Sequence, residues 1–459
     1  MLSSEKAVLL SIAGLLITSG LRAADLPAAH LSLNPTVITA DDESAGAAQE
    51  DQGLLMMGLD QLGAGKTLSD AKINIYGWLE TGYTYNHRHS GASSGTVIIP
   101  GPFNHEWGNH YMINQLDLII ERGVDTAKFD VGGLIELMYG SDAARIHATG
   151  LGYNGSDPTD DNSPADGLAV DNLHPILQFD IPQAFVNINL PIGPEGLQVA
   201  VGKWISLLGY ETIDPTQNAF YSHSYLFSAV PGTQTGILAS YQVNKSLGLK
   251  LGITRGWEIA LEDNNGCAID VTGQVSWKFT DSFDALVNFN VGPENAGDTG
   301  HYRTAINPIL NNQVTEHLKL GLEGLYVYDG GYNGNITGFS DGRSHAYGDT
   351  WGVAAYAGYK INDMFTLNAR VEKAHGVIGT FAGVDLFDGF GTIPALSVYE
   401  ITLGTTITPF PADKYLKNLI IRPEIRYDFT DSSAFPFFSA HNTTYKDQLT
   451  FAADVILKF

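Results

Sequence analysis

The sequence is poor in cysteine, in charge and in long apolar runs, and each shortage excludes something. Cys267 is the single cysteine in 459 residues, so no disulfide can form within the chain. Charged residues are 16% of the total, against roughly 25% in ordinary soluble domains. Basic residues are the scarcer sign: 25 Lys and Arg face 50 Asp and Glu, for a formal net charge of −25. That balance argues against nucleic acid as a partner, because a phosphate backbone needs a basic face. The apolar run from Ala7 to Ser19 is too short to cross a bilayer as a helix, which takes about 20 residues, and no other stretch is long and apolar enough.

That run has another reading. Lys6 precedes it and Leu21-Arg22-Ala23 follows it, the layout of a secretory signal cleaved near Ala23 or Ala24. Residues 1–23 are therefore expected to be a signal peptide. Residues 24–71 are mostly polar and read as a partly disordered periplasmic lead-in, with a short amphipathic helix in "DQGLLMMGLDQLGAG". An exported chain with no membrane helix is either a secreted soluble protein or a β-barrel.

What is abundant decides between them. From residue 72 onward, segments of period two follow one another. "KINIYGWLETGYTYN" sets Ile73, Ile75, Leu79, Tyr83 and Tyr85 against Asn74, Glu80, Thr84 and Asn86. "LIIRPEIRYDF" places Arg422, Glu424, Arg426 and Asp428 on one face. The pattern yields about sixteen strands, fourteen or eighteen being the neighbouring counts, and they lie near 72–86, 111–122, 128–140, 178–190, 197–204, 233–243, 247–256, 267–280, 283–292, 303–314, 317–328, 349–361, 364–374, 395–408, 418–429 and 447–459. Short connections ("GVDTA", "NKS", "TDS", "IND") alternate with long ones (87–110, 141–177, 205–232, 329–348). Short periplasmic turns and long extracellular loops are how an outer-membrane barrel is threaded. The expected fold is thus an all-β, transmembrane antiparallel barrel over residues 72–459. The chain stops on "LTFAADVILKF", an alternating strand ending in Phe459. In hydrocarbon an open sheet edge is not viable, so this strand must pair with the first.

A barrel of this size leaves a water-filled interior, and the predicted inward faces carry charge. Lys250, Lys319, Arg370, Arg422, Arg426, Glu323, Glu372 and Glu424 are the expected pore-lining residues, because unpaired charges in a dry core would be prohibitive. Pairing across strands, simply holding the wall together, is the other reading of the same residues. The connection at 205–232 is more aromatic than a surface loop requires. Tyr210, Tyr221 and Tyr225, with Glu211 and Asp214, make it a candidate constriction loop folded into the lumen. Its acids would then face the wall arginines and set up a transverse field. Packing on the barrel rim or on a neighbouring subunit is the alternative.

Several motifs carry no chemistry in this context. Ser93 sits in "GASSG", but a nucleophile elbow needs a strand before and a helix after, and "TVIIPGP" follows. "GAGKT" lacks the first P-loop glycine, Asp60 standing in its place. Asp157, Asp160, Asp161 and Asp166 share one loop; a solvated acidic loop and a divalent-cation site are both open readings. The thirteen histidines show no paired spacing on a shared face. No catalytic residue, metal site or cofactor is assigned.

"GWLETGYTYN", "QAFVNINLP" (183–191), "GKWISLLGYETIDPTQNAFYSHSYLF" (202–227), "PGTQTGILASY" (231–241), "GWEIALEDNN" (256–265) and "NVGPE" (290–294) together resemble the OmpL-like β-barrel porins, the second porin family of that name. The likeness covers most of residues 72–310. It implies a Gram-negative outer-membrane porin passing small hydrophilic solutes or ions. Its partners would be outer-membrane lipid and the solutes themselves, with a homotrimer as one candidate assembly. A structural or adhesive barrel with a plugged lumen and partner-binding loops is the alternative. An outer-membrane hydrolase is disfavoured by the lack of a placed serine–histidine pair.

Overall fold

A computed structural model describes residues 53–86, 109–148, 150–151, 177–261, 268–294, 299–330, 349–376, 396–431, 437–438 and 444–459. The expected signal segment, Ser93, the acidic loop 156–166 and Cys267 lie outside the described residues. Two short helices, α1 (Leu54–Gln61) and α2 (Gly65–Asp70), precede the barrel and pack beside the start of its first strand.

The strands are β1 (Ile73–Asn86), β2 (Tyr111–Arg122), β3 (Asp130–Gly140), β4 (Gln178–Asp180), β5 (Ala184–Leu190), β6 (Leu197–Ile205), β7 (Thr233–Asn244), β8 (Leu247–Thr254), β9 (Asp270–Thr280) and β10 (Phe283–Gly292). There follow β11 (Arg303–Gln313), β12 (Leu318–Asp329), β13 (Asp349–Lys360), β14 (Phe365–Gly376), β15 (Leu396–Ile407), β16 (Leu419–Thr430), β17 (Phe437–Phe438), β18 (Thr444–Tyr445) and β19 (Asp447–Lys458). Apart from the separate β17–β18 hairpin and the break between β4 and β5, each pairs antiparallel with its neighbours in chain order, and β19 pairs with both β16 and β1. β4 and β5 are two halves of one stave, both paired to β3. The result is a closed antiparallel barrel of sixteen staves, as the alternation predicts.

Two departures from the predicted strands have local causes. The predicted 178–190 strand breaks at Ile181–Gln183, where Pro182 has no N–H to give the ladder. There the Lys203 ammonium takes the Ile181 carbonyl at 2.8 Å and Gln183 turns its side chain to Glu136 at 2.7 Å. The small β17–β18 hairpin, too short to show a period, goes unpredicted within the 430–446 connection.

Closure is made by backbone pairing at the end of the chain. Lys458 stands opposite Trp78, Phe459 N–H donates to the Gly77 carbonyl at 2.9 Å, and Gly77 N–H donates to the Phe459 carbonyl at 3.0 Å. The Phe459 ring lies over Gly77. A Cβ at Gly77 would fall 2.0 Å from the Asp117 carbonyl oxygen and 2.9 Å from that ring, so only glycine fits the seam.

Outside, the barrel is apolar. Leu251, Ile253, Val275 and Val287 are exposed on the successive strands β8–β10, and Ile401 and Leu403 on β15, far more continuous apolar surface than a soluble monomer shows. Aromatic rings edge this belt at both levels. Trp277, Phe279, Tyr359 and Phe365 mark the short-turn end, and Tyr85, Tyr139, Tyr326, Tyr328, Trp351 and Tyr427 the long-loop end.

Candidate functional site

Segment 206–232, between β6 and β7, leaves the rim and runs into the barrel. It includes a 3-10 turn at Pro215–Gln217 and a one-turn helix, α3 (Tyr225–Ser228). Asp214 caps the turn, accepting from Thr216 N–H at 2.8 Å, and Ser224 caps α3, accepting from Phe227 N–H.

The segment is tied to the inner wall by its own backbone. Gly209 N–H donates to Asn307 on β11 at 2.9 Å and Tyr210 N–H to Glu323 on β12 at 3.0 Å. Tyr225 and Leu226 N–H donate to Glu372 on β14 at 2.7 and 2.8 Å. Tyr221 and Ser222 N–H donate to Glu424 on β16 at 2.9 and 3.2 Å. The carbonyls go to cations. Arg370 on β14 donates to Ser222 O at 2.8 Å, Arg422 on β16 to Pro215 O and Asn218 O at 2.7 Å each, and Arg426 to His223 O at 2.6 Å. On the far side, Gln115 on β2 donates to Ile213 O at 3.0 Å, and Tyr221 OH donates to Asn114 at 3.1 Å. Carboxylates for the N–H groups and guanidinium groups for the carbonyls are what a chain without a sheet partner needs when buried.

Side chains seat the segment as well. Four inward glycines each receive one: Gly82 the Tyr221 ring, Gly321 the Tyr210 ring, Gly352 Leu226 and Gly404 the Phe220 ring. A Cβ at Gly82 or Gly321 would approach the tyrosine within 2.4 Å. Tyr210 also stacks on Tyr356, centroids 4.1 Å apart. Nearer the extracellular end, the inward faces of β11–β15 turn apolar at Ala305, Leu325, Val327, Ala354, Ala374, Leu396 and Val398. Leu208, Leu226, Ala229 and Val230 of the segment pack there, with Trp257 from the connection after β8. This part of the lumen is a hydrophobic core.

The predicted site residues fall into two groups. Arg370, Arg422, Arg426, Glu323, Glu372 and Glu424 all point inward and are all buried. They lie beneath the segment instead of on a free watery wall, which departs from the expectation. The physical reason is neutralisation. Arg370 pairs with Glu400 at 3.0 Å and with Glu211 at 2.5 Å, Arg422 with Asp454 at 2.5 Å, and Arg426 with Asp428 at 2.8 Å. Pairing within the wall, across strands for Arg370 and Arg422 and along β16 for Arg426, and loop anchoring therefore account for these charges together. Glu211 meets Arg370 in direct contact, with no gap for a field to span, and Asp214 serves its own turn. Tyr225 bonds Asp428 at 2.8 Å and lies 5.1 Å from the Arg426 guanidinium.

Lys250 and Lys319 stand apart, half-buried toward the periplasmic ends of β8 and β12. Lys278 is exposed in the same region, and Asp284 accepts from Asn311 at 3.1 Å. Between these levels β7, β9, β10 and β11 carry an amide row. Gln234 donates to Asn290 at 2.8 Å, Gln274 to Asn288 at 2.7 Å, Asn288 to Asn307 at 3.1 Å, and Asn307 to Glu323 at 2.9 Å.

Asn307, which takes the Gly209 N–H, and Asn368, which donates to the Ala219 carbonyl at 3.2 Å, were missed as anchors by sequence reasoning, and so was the apolar core. The core did leave a signal. In "EGLYVY" (323–328) the alternation breaks down, since Leu325 and Val327 inward accompany Tyr326 and Tyr328 outward. A strand apolar on both faces is covered on both. Among the described residues, no group of three His, Cys, Asp or Glu side chains could hold a metal ion.

Comparison with known proteins follows the same outline. The family model described as "Putative beta-barrel porin-2, OmpL-like" matches residues 72–459, extending past the point where the sequence resemblance thins. Among solved structures, OprB of Pseudomonas putida is 11% identical with a TM-score of 0.50, covering 87% of this chain and 97% of its own. Salmonella typhi OmpF, in complex with daunomycin, is 12% identical with a TM-score of 0.50, covering 85% and 99%. The outer-membrane channel DcaP of Acinetobacter baumannii is 14% identical with a TM-score of 0.47, covering 84% and 97%. At these identities the likeness is one of fold. A search of curated proteins found no match.

Proposed function

The chain belongs to the OmpL-like β-barrel porin-2 family and is an integral outer-membrane β-barrel, and from that premise we propose that it passes small hydrophilic solutes or ions by passive diffusion through a lumen narrowed by segment 206–232. One observation carries the reading: sixteen staves close around inward faces of amides and ion pairs, with partly exposed Lys250, Lys319 and Asp284 toward the periplasm. A wall meant to pack dry has no use for partly exposed lysines, whereas a wet vestibule has. The constriction would lie where the segment leaves the amide row of β9–β11, since its anchoring bonds run to β11–β16 and to β2. The segment would act as a fixed filler, not as a flap.

A second reading has its own support. The burial of Arg370, Arg422 and Arg426, with the apolar core above them, suits a plugged barrel that acts through its outer loops. Single-channel recording of the purified protein in planar bilayers separates the two. The porin reading expects stepwise, ohmic conductance smaller than that of an unobstructed sixteen-stranded pore. A refolded, heat-modifiable protein that never conducts would reject it. Reversal potential in a salt gradient then gives selectivity.

A further inference from the structure

The cations of the wall differ in partnership. Arg370, Arg422 and Arg426 meet the carboxylates named above. Arg303 pairs with Asp329 at 2.9 Å and Lys203 with Asp180 at 3.4 Å. Lys278 pairs with Asp281 at 3.0 Å, and Lys319 lies in the field of Asp284. Lys250 has no such arrangement. Among the described residues, no carboxylate forms an ion pair with its ammonium and no oxygen takes a hydrogen bond from it. It faces the lumen from β8, half-buried, while Leu249 and Leu251 beside it are exposed to lipid.

Register gives its surroundings. Its inward neighbours along β8 are Gly248 and Gly252. Ser240 on β7 and Gln274 on β9 stand directly opposite it, and Gln242 and Ser276 stand opposite Gly248, one step nearer the periplasm. A Cβ at Gly248 would fall 2.5 Å from Ser276 Oγ and 2.9 Å from Gln242 Oε1, so polar groups lean over the glycine beside the lysine. Gln274 gives one amide N–H to Asn288 at 2.7 Å and keeps a second. On the extracellular side the wall is apolar. A Cβ at Gly252 would lie 3.0 Å from Leu238 Cδ1, and Leu238 packs with Trp204 and with Leu207 of the inserted segment. Lys250 thus stands where the packed filler gives way to a polar vestibule.

A half-buried ammonium without a counter-charge has given up hydration and received no ion in return. It is completed by a small anion. One ammonium supplies one unit of charge, and Ser240, Ser276 and Gln274 add neutral donors, a set that suits the two oxygens of a carboxylate. A phosphate dianion asks for a second cation, and Lys278 is already held by Asp281. We propose that Lys250, with Ser240, Ser276 and Gln274, binds the carboxylate of a small monoanionic organic acid at the periplasmic foot of segment 206–232. The proposal rests on the porin reading and adds a solute class to it.

The test titrates detergent-purified full-length protein, in chloride-free buffer, with sodium lactate, sodium phosphate or glycerol, read by ligand-observed NMR. The same preparation is recorded in planar bilayers. Lactate is expected to bind saturably. Lys250→Gln should weaken that binding about tenfold, as loss of a charged hydrogen bond does. Lys250→Arg should retain it, and Lys278→Gln should leave it unchanged, with heat-modifiable mobility preserved in all three. Binding is read without conductance, so the two failures separate. A silent barrel that binds lactate through Lys250 upholds the site and rejects the porin reading. A conducting barrel whose lactate binding ignores Lys250→Gln rejects the site. Tighter binding of phosphate than of lactate, equal binding of glycerol, or an equal loss in Lys278→Gln would also overturn the proposal.

Discussion

Replacing Arg370 by methionine should free segment 206–232 from the wall, and the size of the effect can be worked out. Arg370 is fully buried and donates to Glu400, Glu211, Ser222 O, Ser222 Oγ and His223 O. Its guanidinium also lies 5.1 Å from the Phe220 ring centroid. Methionine fills the volume but leaves Glu211 and Glu400 buried without their cation. Breaking a buried pair from one side costs roughly 3–5 kcal/mol. The barrel ladder does not depend on this residue's side chain, so the cost falls on docking of the segment. At 1.36 kcal/mol per decade, release becomes about 10²–10⁴-fold more frequent. The assay places a cysteine at Ala229, fully buried in the segment, in a Cys267→Ser background, and follows its labelling by a membrane-impermeant maleimide. Labelling should be slow with Arg370 present and faster by that factor without it. Adding Glu211→Gln should recover part of the difference, since the two residues act as one unit. A labelling rate changed less than threefold by Arg370→Met would show that the guanidinium does not hold the segment.

Three further outcomes follow from the same geometry. Gly82→Leu should push Tyr221 off its seat at a cost of about 1–3 kcal/mol, speeding the same labelling, and Tyr221→Ala in that variant should relieve the clash without restoring the anchor. Phe459→Ala should lower the temperature at which the folded band converts on gels, because the ring over Gly77 and the backbone pair there close the seam; an unchanged temperature would deny the ring that role. Glu258, just past β8, accepts from Thr233 N–H at 3.2 Å and Thr233 Oγ1 at 3.0 Å where the segment rejoins the wall. Burial pushes its carboxyl up to about 7. The folded chain thus keeps a proton that the unfolded chain has lost. The stability contributed is full below the ordinary carboxylate range, about 4.3, is lost as pH rises to about 7, and is flat above. The gel-conversion temperature of wild type relative to Glu258→Gln should therefore fall from pH 5 to pH 8; a constant difference would contradict the assignment.

Strand positions were legible because period two is imposed by the environment itself: lipid on one side admits only apolar side chains, so Leu249, Leu251 and Ile253 announce β8. Closure was legible for the same reason, since lipid admits no unpaired edge. The aromatic excess in 205–232 belongs to the segment that leaves the rim. What the sequence hid was partnership. Arg422 reads identically whether it faces water or the carbonyls of Pro215 and Asn218, more than two hundred residues away. Gly82 reads as a weak strand residue until Tyr221 is placed on it. The apolar inner faces of β11–β15 left only the lapse of alternation in "EGLYVY", which does not say what covers them.

The most direct measurement is single-channel conductance of the wild-type barrel beside one in which residues 209–230 are replaced by a short Gly-Ser bridge. The account predicts small, steady steps from the intact protein and several-fold larger ohmic steps from the excised one, as expected when a packed filler leaves a sixteen-stranded lumen. Equal conductance from both, or silence from both in folded, heat-modifiable form, would contradict it.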